Sequence, residues 1–538
     1  MPFKVIKNKK YKIKSLMNSD LSFCPFPFSL FRIPYTVYHY PFFILYFLFC
    51  IFSSSPAQSP VTYLYLEDDH YAFIDYQINS GRNLPRFVFQ QPFEGSFLSD
   101  DMKAAEFFKN YWEKYYGDSL ASGLSSQLML ADKGKYQNEV LLNRYQATGG
   151  IHIIYPHITL GNRTTIDQEY KYDPNYAGDL SESDNWLWGR VNDAYMNVNF
   201  KNFDFFIGRM KRNWGPIAKY SFLLSSQPYS YDHFLFSYQN NWLKLSIIFA
   251  RLEDLNALGL DNPDNPDSLT YYPQSRKFLA GHRLDFRIRD NLQLGLSEMA
   301  TYGGPDRDFD LSFLNPMTFY YGLQRNDKKQ CNPNWTLDLF YKPVQKITLY
   351  GQLFIDDVIV NNEPGQDDRA QYDDRLAVYV SVRSGDLLLP GLNTDLSYTR
   401  VWNQTYQSRW TYENYHYRQL GLGYPCASCE EFNFKLGFWG LFPLFFQNEF
   451  IYGRYGNVLL TDVNLLQKEP FPVPPVTENL VNIFKLRYFF RTWLDTFLKV
   501  EYYKNPGHYL NRLNQDSDLT VSLGINLLLS GQLGFRDL

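Results

Sequence analysis

Arg209, Lys211 and Arg212 stand just ahead of Trp214. A guanidinium binds a carboxylate through two parallel N–H groups, and a flat ring stacks on the apolar face of a sugar. Charge and stacking together suit an anionic saccharide, such as one carrying uronic acids. A second reading fits the same residues: Trp214 in an interfacial aromatic girdle, with the basic side chains facing headgroups or lumen salt bridges. A second basic run comprises His282, Arg283, Asp285, Arg287 and Arg289. On a strand it would form a ladder needing acidic partners, and Glu298, Asp356 and Asp357 are the candidates. It reads as a structural ion-pair network ahead of a ligand site.

The chemistry expected here is binding, with no enzyme, cofactor or metal. Asp356 and Asp357 are adjacent, and adjacent strand residues point to opposite faces. Glycoside hydrolysis needs two carboxylates facing one bond. The chain has no Gly-x-Ser-x-Gly elbow, no phosphate loop and no His-Glu-x-x-His. A catalytic triad dispersed over several strands is the enzymatic rival. Cys331, Cys426 and Cys429 are too few for a four-cysteine zinc site. Cys426 and Cys429 flank Ala-Ser between two strand-like runs, which suits a small disulfide in an oxidising compartment. A redox motif would need a βαβ setting that is absent here.

The elements that must position these residues follow from composition. The chain has 538 residues and a formal net charge of -4. That balance argues against a nucleic-acid partner. Aromatics make up 18% of residues, yet mean hydropathy is only -0.37. A transmembrane β-barrel has this balance: an apolar outside, a polar inside and aromatic girdles. A soluble secreted β-protein would have to bury the whole aromatic load in its core. Residues 1–57 read as a secretory signal peptide. Lys4, Lys7, Lys9, Lys10, Lys12 and Lys14 precede the apolar run Phe42–Phe52, and Ser55-Pro56-Ala57 offers cleavage near Ala57. The alternative is an N-terminal membrane anchor. Cys24 and Cys50 would leave with the leader.

Residues 58–140 are expected to form a periplasmic helical section. Residues 68–81 suit a helix capped by Asp68 or Asp69, with Tyr71, Ile74 and Ile78 on one face and Gly81 as the stop. Residues 100–116 suit a second, capped by Ser99, striped by Ala104, Phe108, Tyr111, Trp112 and Tyr115, and ended by Gly117. From about residue 143 the hydrophobic period drops to two. Leu284, Phe286 and Ile288 alternate with charges up to an Asp290-Asn291 turn. Ile347 to Ile355, Leu376 to Val382, Phe432 to Phe438, Leu498 to Tyr502 and Leu519 to Leu527 repeat the pattern. Runs of roughly 9–12 residues match tilted membrane strands. An all-β, antiparallel transmembrane barrel over 141–538 follows, with about 18 strands (range 16–18), since such barrels favour even numbers. Asp261–Asp267, Asn361–Asp374 and Lys468–Glu478 read as extracellular loops or lumen plugs.

Several short patterns occur in a telling order. They are Gly208-Arg209 with Trp214-Gly215-Pro216, Leu223-Leu224-Ser225, Gly281-His282-Arg283, Leu314-Asn315-Pro316 with Phe319-Tyr320, and Tyr350-Gly351-Gln352 with Asp356-Asp357. Ile78-Asn-Ser-Gly81 and Gln91-Pro92 precede them. From about residue 62 to the C-terminus the chain resembles the Wzi-type capsule-assembly family of outer-membrane proteins. The C-terminal Phe535-Arg-Asp-Leu538 departs from the usual aromatic ending of such barrels, and the long leader is a second departure from the family. The resemblance implies a closed barrel with a periplasmic helical bundle, exported to the outer membrane. It implies a lectin-like role at the cell surface, retaining or organising capsular or other exported polysaccharide. Arg209, Arg212, Trp214, His282, Arg283, Tyr320 and Gln352 are then the candidate carbohydrate-binding residues. Arg287, Glu298, Asp356 and Asp357 are candidate lumen ion-pair partners. Polysaccharide, outer-membrane lipid and the barrel-assembly machinery are the expected partners. The alternative function is a diffusion porin for sugars or other small solutes.

Overall fold

The structure is a computed structural model. It describes residues 62–535 apart from 67–69, 83, 95–102, 117–119, 121, 138, 174–175, 177–188, 219, 263–264, 266–267, 359–373, 466 and 506–518. The leader, the caps at Asp68, Asp69 and Ser99, the Gly117 stop and most of Asn361–Asp374 lie outside the described residues.

Eighteen antiparallel strands close into one barrel. They are β1 (Gly123–Gln137), β2 (Val140–Tyr155), β3 (Ile158–Asp167), β4 (Gly189–Phe200), β5 (Phe203–Met210) and β6 (Tyr231–Gln239). Next come β7 (Leu243–Leu260), β8 (Leu269–Arg289), β9 (Leu292–Gly304), β10 (Asn332–Val344), β11 (Ile347–Asp357) and β12 (Arg375–Gly385). The last six are β13 (Leu392–Val401), β14 (Cys429–Phe438), β15 (Leu444–Tyr455), β16 (Thr477–Arg491), β17 (Leu494–Tyr503) and β18 (Leu519–Gly534). Each strand pairs with its sequence neighbour, and β18 closes on β1 from Gly123↔Gly534 to Gln137↔Thr520. An even strand count returns both ends of the barrel to one rim. That rim carries the short turns, such as Asp290–Asn291, and is the periplasmic one.

The barrel starts at Gly123, before the boundary expected at 141. Ser126, Asp132 and Gly134 share the outward face of β1 with Leu128 and Leu130, so its apolar alternation is broken. Elsewhere the period-two pattern maps onto the wall as expected. Val380, Val382, Phe432, Leu523 and Ile525 are exposed, whereas Arg283, Asp285, Asp338 and Arg383 are buried. An apolar exterior around a charged interior is the inverse of a soluble core, and it places the protein in an outer membrane.

Helix α1 (Tyr71–Asn79) is shorter than the expected 68–81. Gly81 ends it as expected. Its φ is +74°, and Gly81 N donates to Ile78 O (3.1 Å) while Arg82 N donates to Gln77 O (3.1 Å). Those two bonds satisfy the last carbonyls, and the positive φ favours glycine. Helix α1 sits inside the periplasmic mouth of the lumen. Arg383 and Asn393 donate to Asp75 (2.7 and 2.9 Å), Tyr76 donates to Asp386 (2.8 Å), and Lys342 donates to the Ile78 carbonyl (2.8 Å). Helix α2 (Lys103–Tyr116) buries Ala104, Phe108, Trp112 and Tyr115 of the expected stripe, with Tyr111 half-buried at its edge. Phe107 and Phe108 pack on Phe442 and Phe489 at the periplasmic turns. The helical section is therefore a plug and a brace for the rim.

Candidate functional site

Three inward segments fill the lumen among the described residues. The first is the N-terminal stretch 62–93. The second is the connection 211–230, where Phe222, Leu223 and Leu224 are buried. The third is the connection 402–428. Neither connection was among the loops singled out from the sequence. They are stitched together by backbone. Gln90 and Gln91 form a short ladder with Trp214 and Asn213, and Gly215 N donates to Phe89 O (2.8 Å). Ser225 N donates to Leu422 O (2.8 Å), and Tyr415 OH donates to Leu223 O (2.7 Å). Buried backbone must find partners, and here each segment supplies them to the next.

Of the seven residues proposed for carbohydrate binding, four face the lumen and three the outer side of the wall. Arg212 and Trp214 line a lumen cavity of about 400 Å³ with Tyr63, Glu94, Asp204 and Lys244. Arg212 stacks over Phe206 at 4.2 Å and donates to His233 Nε2 at 3.0 Å. Gln352 holds the second segment, accepting from Phe222 N (2.8 Å) and donating to Trp214 O (3.3 Å). Arg283 is wholly buried in the lumen, paired with Asp285 (2.7 Å) and Asp338 (2.8 Å). Asp285 in turn accepts from Gln90 of the plug (2.7 Å). Arg209, His282 and Tyr320 lie on the opposite face of the wall. Arg209 shares its face with exposed Ile207 and pairs with Asp232 at 2.6 Å. His282 shares its face with Leu284 and lies 3.3 Å from Glu298, with the Tyr320 ring 5.0 Å from its own.

The expected lumen ladder is therefore corrected. Glu298 is on the outer face of the barrel, because its parity on β9 is that of Leu294 and Leu296. Arg287 pairs with Asp290 at 3.0 Å in the periplasmic turn. Asp356 faces inward and accepts from Tyr406 N (2.8 Å), fastening the third segment. Asp357 faces outward and pairs with Arg375 at 2.6 Å. The two carboxylates diverge, as strand geometry requires. Cys426 and Cys429 are joined as a disulfide at the start of β14.

A cluster at the extracellular end escaped the sequence reading. β7 and β8 run 18 and 21 residues, longer than the ~9–11 needed to cross a membrane, so they stand above it. Residues 409–412 of the third segment lie along their inner edge, with Gly259 bridged to Trp410 and Leu260 N donating to Arg409 O (2.8 Å). A Cβ at position 259 would collide with the Trp410 ring, so glycine admits the indole here. Asp261 accepts from Trp410 Nε1 (3.0 Å) and from Tyr272 OH (2.6 Å). Trp410 and Tyr412 are near parallel, 16° apart, and Arg409 sits 4.7 Å above Trp410. Bonds from Thr270, Tyr272 and Trp410 hold the Asp261 carboxyl below its usual range. The result is two half-buried rings, Trp410 and Tyr272, flanked by an ionised acceptor and a guanidinium, with Tyr412 buried behind them. Its signal in the sequence is the aromatic density of Trp402 to Tyr417.

Glu413 lies beneath this surface, accepting from Ser408 Oγ at 2.8 Å. Burial raises its pKa from 4.5 to about 7. A carboxyl whose folded value is raised binds its proton more tightly in the folded state. The packing of 402–428 is then strongest below about pH 4.5 and weakens as pH rises through 7. The full effect is up to about 3 kcal/mol. Amide exchange in 402–428, corrected for intrinsic rates, is expected to quicken between pH 5 and pH 8, and Glu413→Gln should flatten that dependence.

A family model described as capsule assembly protein Wzi matches residues 111–367. The resemblance read from the sequence is borne out over that span. No curated protein sequence matches the chain. Among solved structures, the chain is similar to Wzi of Escherichia coli, described as an outer-membrane protein involved in group 1 capsule assembly and a carbohydrate-binding β-barrel. That match has a TM-score of 0.55 and 13% identity, and covers 87% of this chain and 99% of that one. OpdK of Pseudomonas aeruginosa with vanillate matches at TM-score 0.45 and 12% identity, over 76% of this chain and 99% of that one. OprD of Pseudomonas aeruginosa matches at 0.42 and 9%, over 76% and 95%.

Proposed function

We propose that this Wzi-type outer-membrane barrel binds exported polysaccharide at the cell surface and retains or organises it there. The observation that carries the reading is the extracellular surface of Trp410, Tyr272, Asp261 and Arg409, backed by buried Tyr412 and set over a filled lumen. The rings offer stacking faces, Asp261 accepts from sugar hydroxyls, and Arg409 suits a uronic-acid carboxylate. The Escherichia coli protein's described carbohydrate binding supports the same reading. Arg212, Trp214 and Arg283 serve to hold the plug, Gln352 the second segment and Asp356 the third, so direct sugar contact moves to the rim.

The mechanism is multivalent. A shallow surface holds one repeat weakly, and a long polymer rebinds from high local concentration. The test compares retention of polysaccharide fractions of increasing length on cells carrying the protein. Retention rising steeply with length is expected. Equal affinity for a single repeat and for long chains would overturn the mechanism. The diffusion-porin reading needs a wet path, and three packed segments across the lumen favour binding.

A further inference from the structure

The connection 305–331 between β9 and β10 leaves the barrel on the outer side. Phe313, Tyr320 and Leu323 form one buried cluster with Phe278, Ala280, Ala300 and Tyr302. Those four wall residues share their strand faces with Leu284, Phe286, Leu294 and Leu296, which form the outward surface. Ring contacts fasten the connection there: Tyr302 to Phe313 at 4.2 Å, Phe249 to Phe309 at 4.8 Å and Tyr321 to Trp335 at 5.5 Å. A short helix, α3 (Tyr320–Arg325), lies within it, and Tyr321 N donates to Glu298 (3.2 Å).

Its depth follows from strand geometry. Ala300 is eight residues along β9 from Leu292 at the periplasmic end. Eight steps span roughly 27 Å of strand, or roughly 20 Å of height at a tilt near 40°. The apolar band of such a barrel is about 25 Å tall. The flap therefore covers the wall at the level of the outer leaflet. Its far side carries Leu311, Met317 and Phe319, exposed by 71%, 84% and 72%. Directly below them the wall turns apolar side chains outward, as Leu296 and Leu337 do.

We propose that the uncharged part of this connection, residues 311–324, is a membrane-seated flap whose Leu311, Met317 and Phe319 enter the outer-leaflet lipid, continuous with the lipid-facing wall. The flap also answers a problem the wall creates. His282 and Glu298 face outward at this level, and Glu298 is only 3% exposed beneath the flap. Bare to hydrocarbon, that polar pair would be costly. Seated, the flap supplies a backbone donor and an aromatic cover. This inference depends on the barrel's outer-membrane setting and is independent of the polysaccharide reading.

The test places a nitroxide at Met317→Cys and, separately, at Phe319→Cys, in the full chain in bilayers with an outer leaflet of lipopolysaccharide. Leu296→Cys on the wall and Tyr271→Cys on the extracellular hairpin give the lipid and water references. The parent chain, with its buried Cys331, is the labelling control. Oxygen broadening well above that of a water-soluble nickel chelate, as at 296, is the expected result at both flap positions. Nickel broadening like that at 271 would overturn the proposal. So would protection from both reagents, which would mean a protein covers the flap.

Discussion

Trp410→Ala is expected to release long-chain polysaccharide from the cell surface while the barrel stays folded. The indole is one wall of the aromatic surface and a hydrogen-bond donor to Asp261. Central aromatic contacts commonly carry more than about 1 kcal/mol of a binding interface. A loss of 1.4 kcal/mol per site is tenfold, and a polymer held at many copies compounds it. Retention of long chains should thus fall by about tenfold or more. Asp261→Asn keeps the shape and removes the charge, so it should weaken binding less, and most for hydroxyl-rich neutral repeats. Arg409→Gln should act selectively on acidic polymers. Heat-modifiable migration, which reports the folded barrel, should be unchanged in all three. Normal retention by Trp410→Ala would remove this surface from the binding model.

The second large effect concerns the plug. Single-channel recording of the parent protein in a planar bilayer is expected to be electrically silent. Asp75→Ala is expected to open it intermittently. Asp75 accepts from Arg383 at 2.7 Å and from Asn393 at 2.9 Å, and Arg383 is almost wholly buried. Removing one partner of a buried pair costs about 3–5 kcal/mol, because the remaining charge is left poorly compensated. Asp395, at 3.1 Å from Arg383, offsets part of that. Gly385→Val attacks the same helix by a different route. A Cβ at 385 would collide with the Asn79–Ser80 peptide, so α1 must shift. Conductance steps from both variants would identify α1 as the stopper. Stable open steps in the parent would favour the diffusion-porin reading and demote the binding one.

Much of the architecture was legible because strand periodicity is a local property. Alternation at 284–288, 347–355, 376–382 and 519–527 reports one apolar and one polar face wherever the strand lies. An even count and run lengths matched to a bilayer then lead to a barrel near 18 strands. Gly81 marked its helix end because a positive φ is a local requirement. Ala104, Phe108, Trp112 and Tyr115 marked the buried side of α2 for the same reason.

The site was not legible in the same way. Arg209, Arg212 and Trp214 are neighbours in sequence, yet Arg209 points outside and the other two point into a lumen cavity. Parity on β5 turns Arg209 outward, whereas Arg212 and Trp214 lie past the strand end, in the connection that folds into the lumen. By sequence Glu298 is a lumen partner for Arg283, but strand pairing sets it beneath a flap on the opposite face. Arg283 found Asp338 on β10, a residue no spacing rule could select. Asp261 and Tyr272 share the β7–β8 hairpin, and only the inward fold of 402–428 brings Trp410 to them. The sequence by itself determined which faces are apolar, how long the crossings are and that the chain closes on itself. Tertiary structure alone decided which connections turn inward, which turns outward, and where charges meet, because those depend on contacts between residues far apart in the chain.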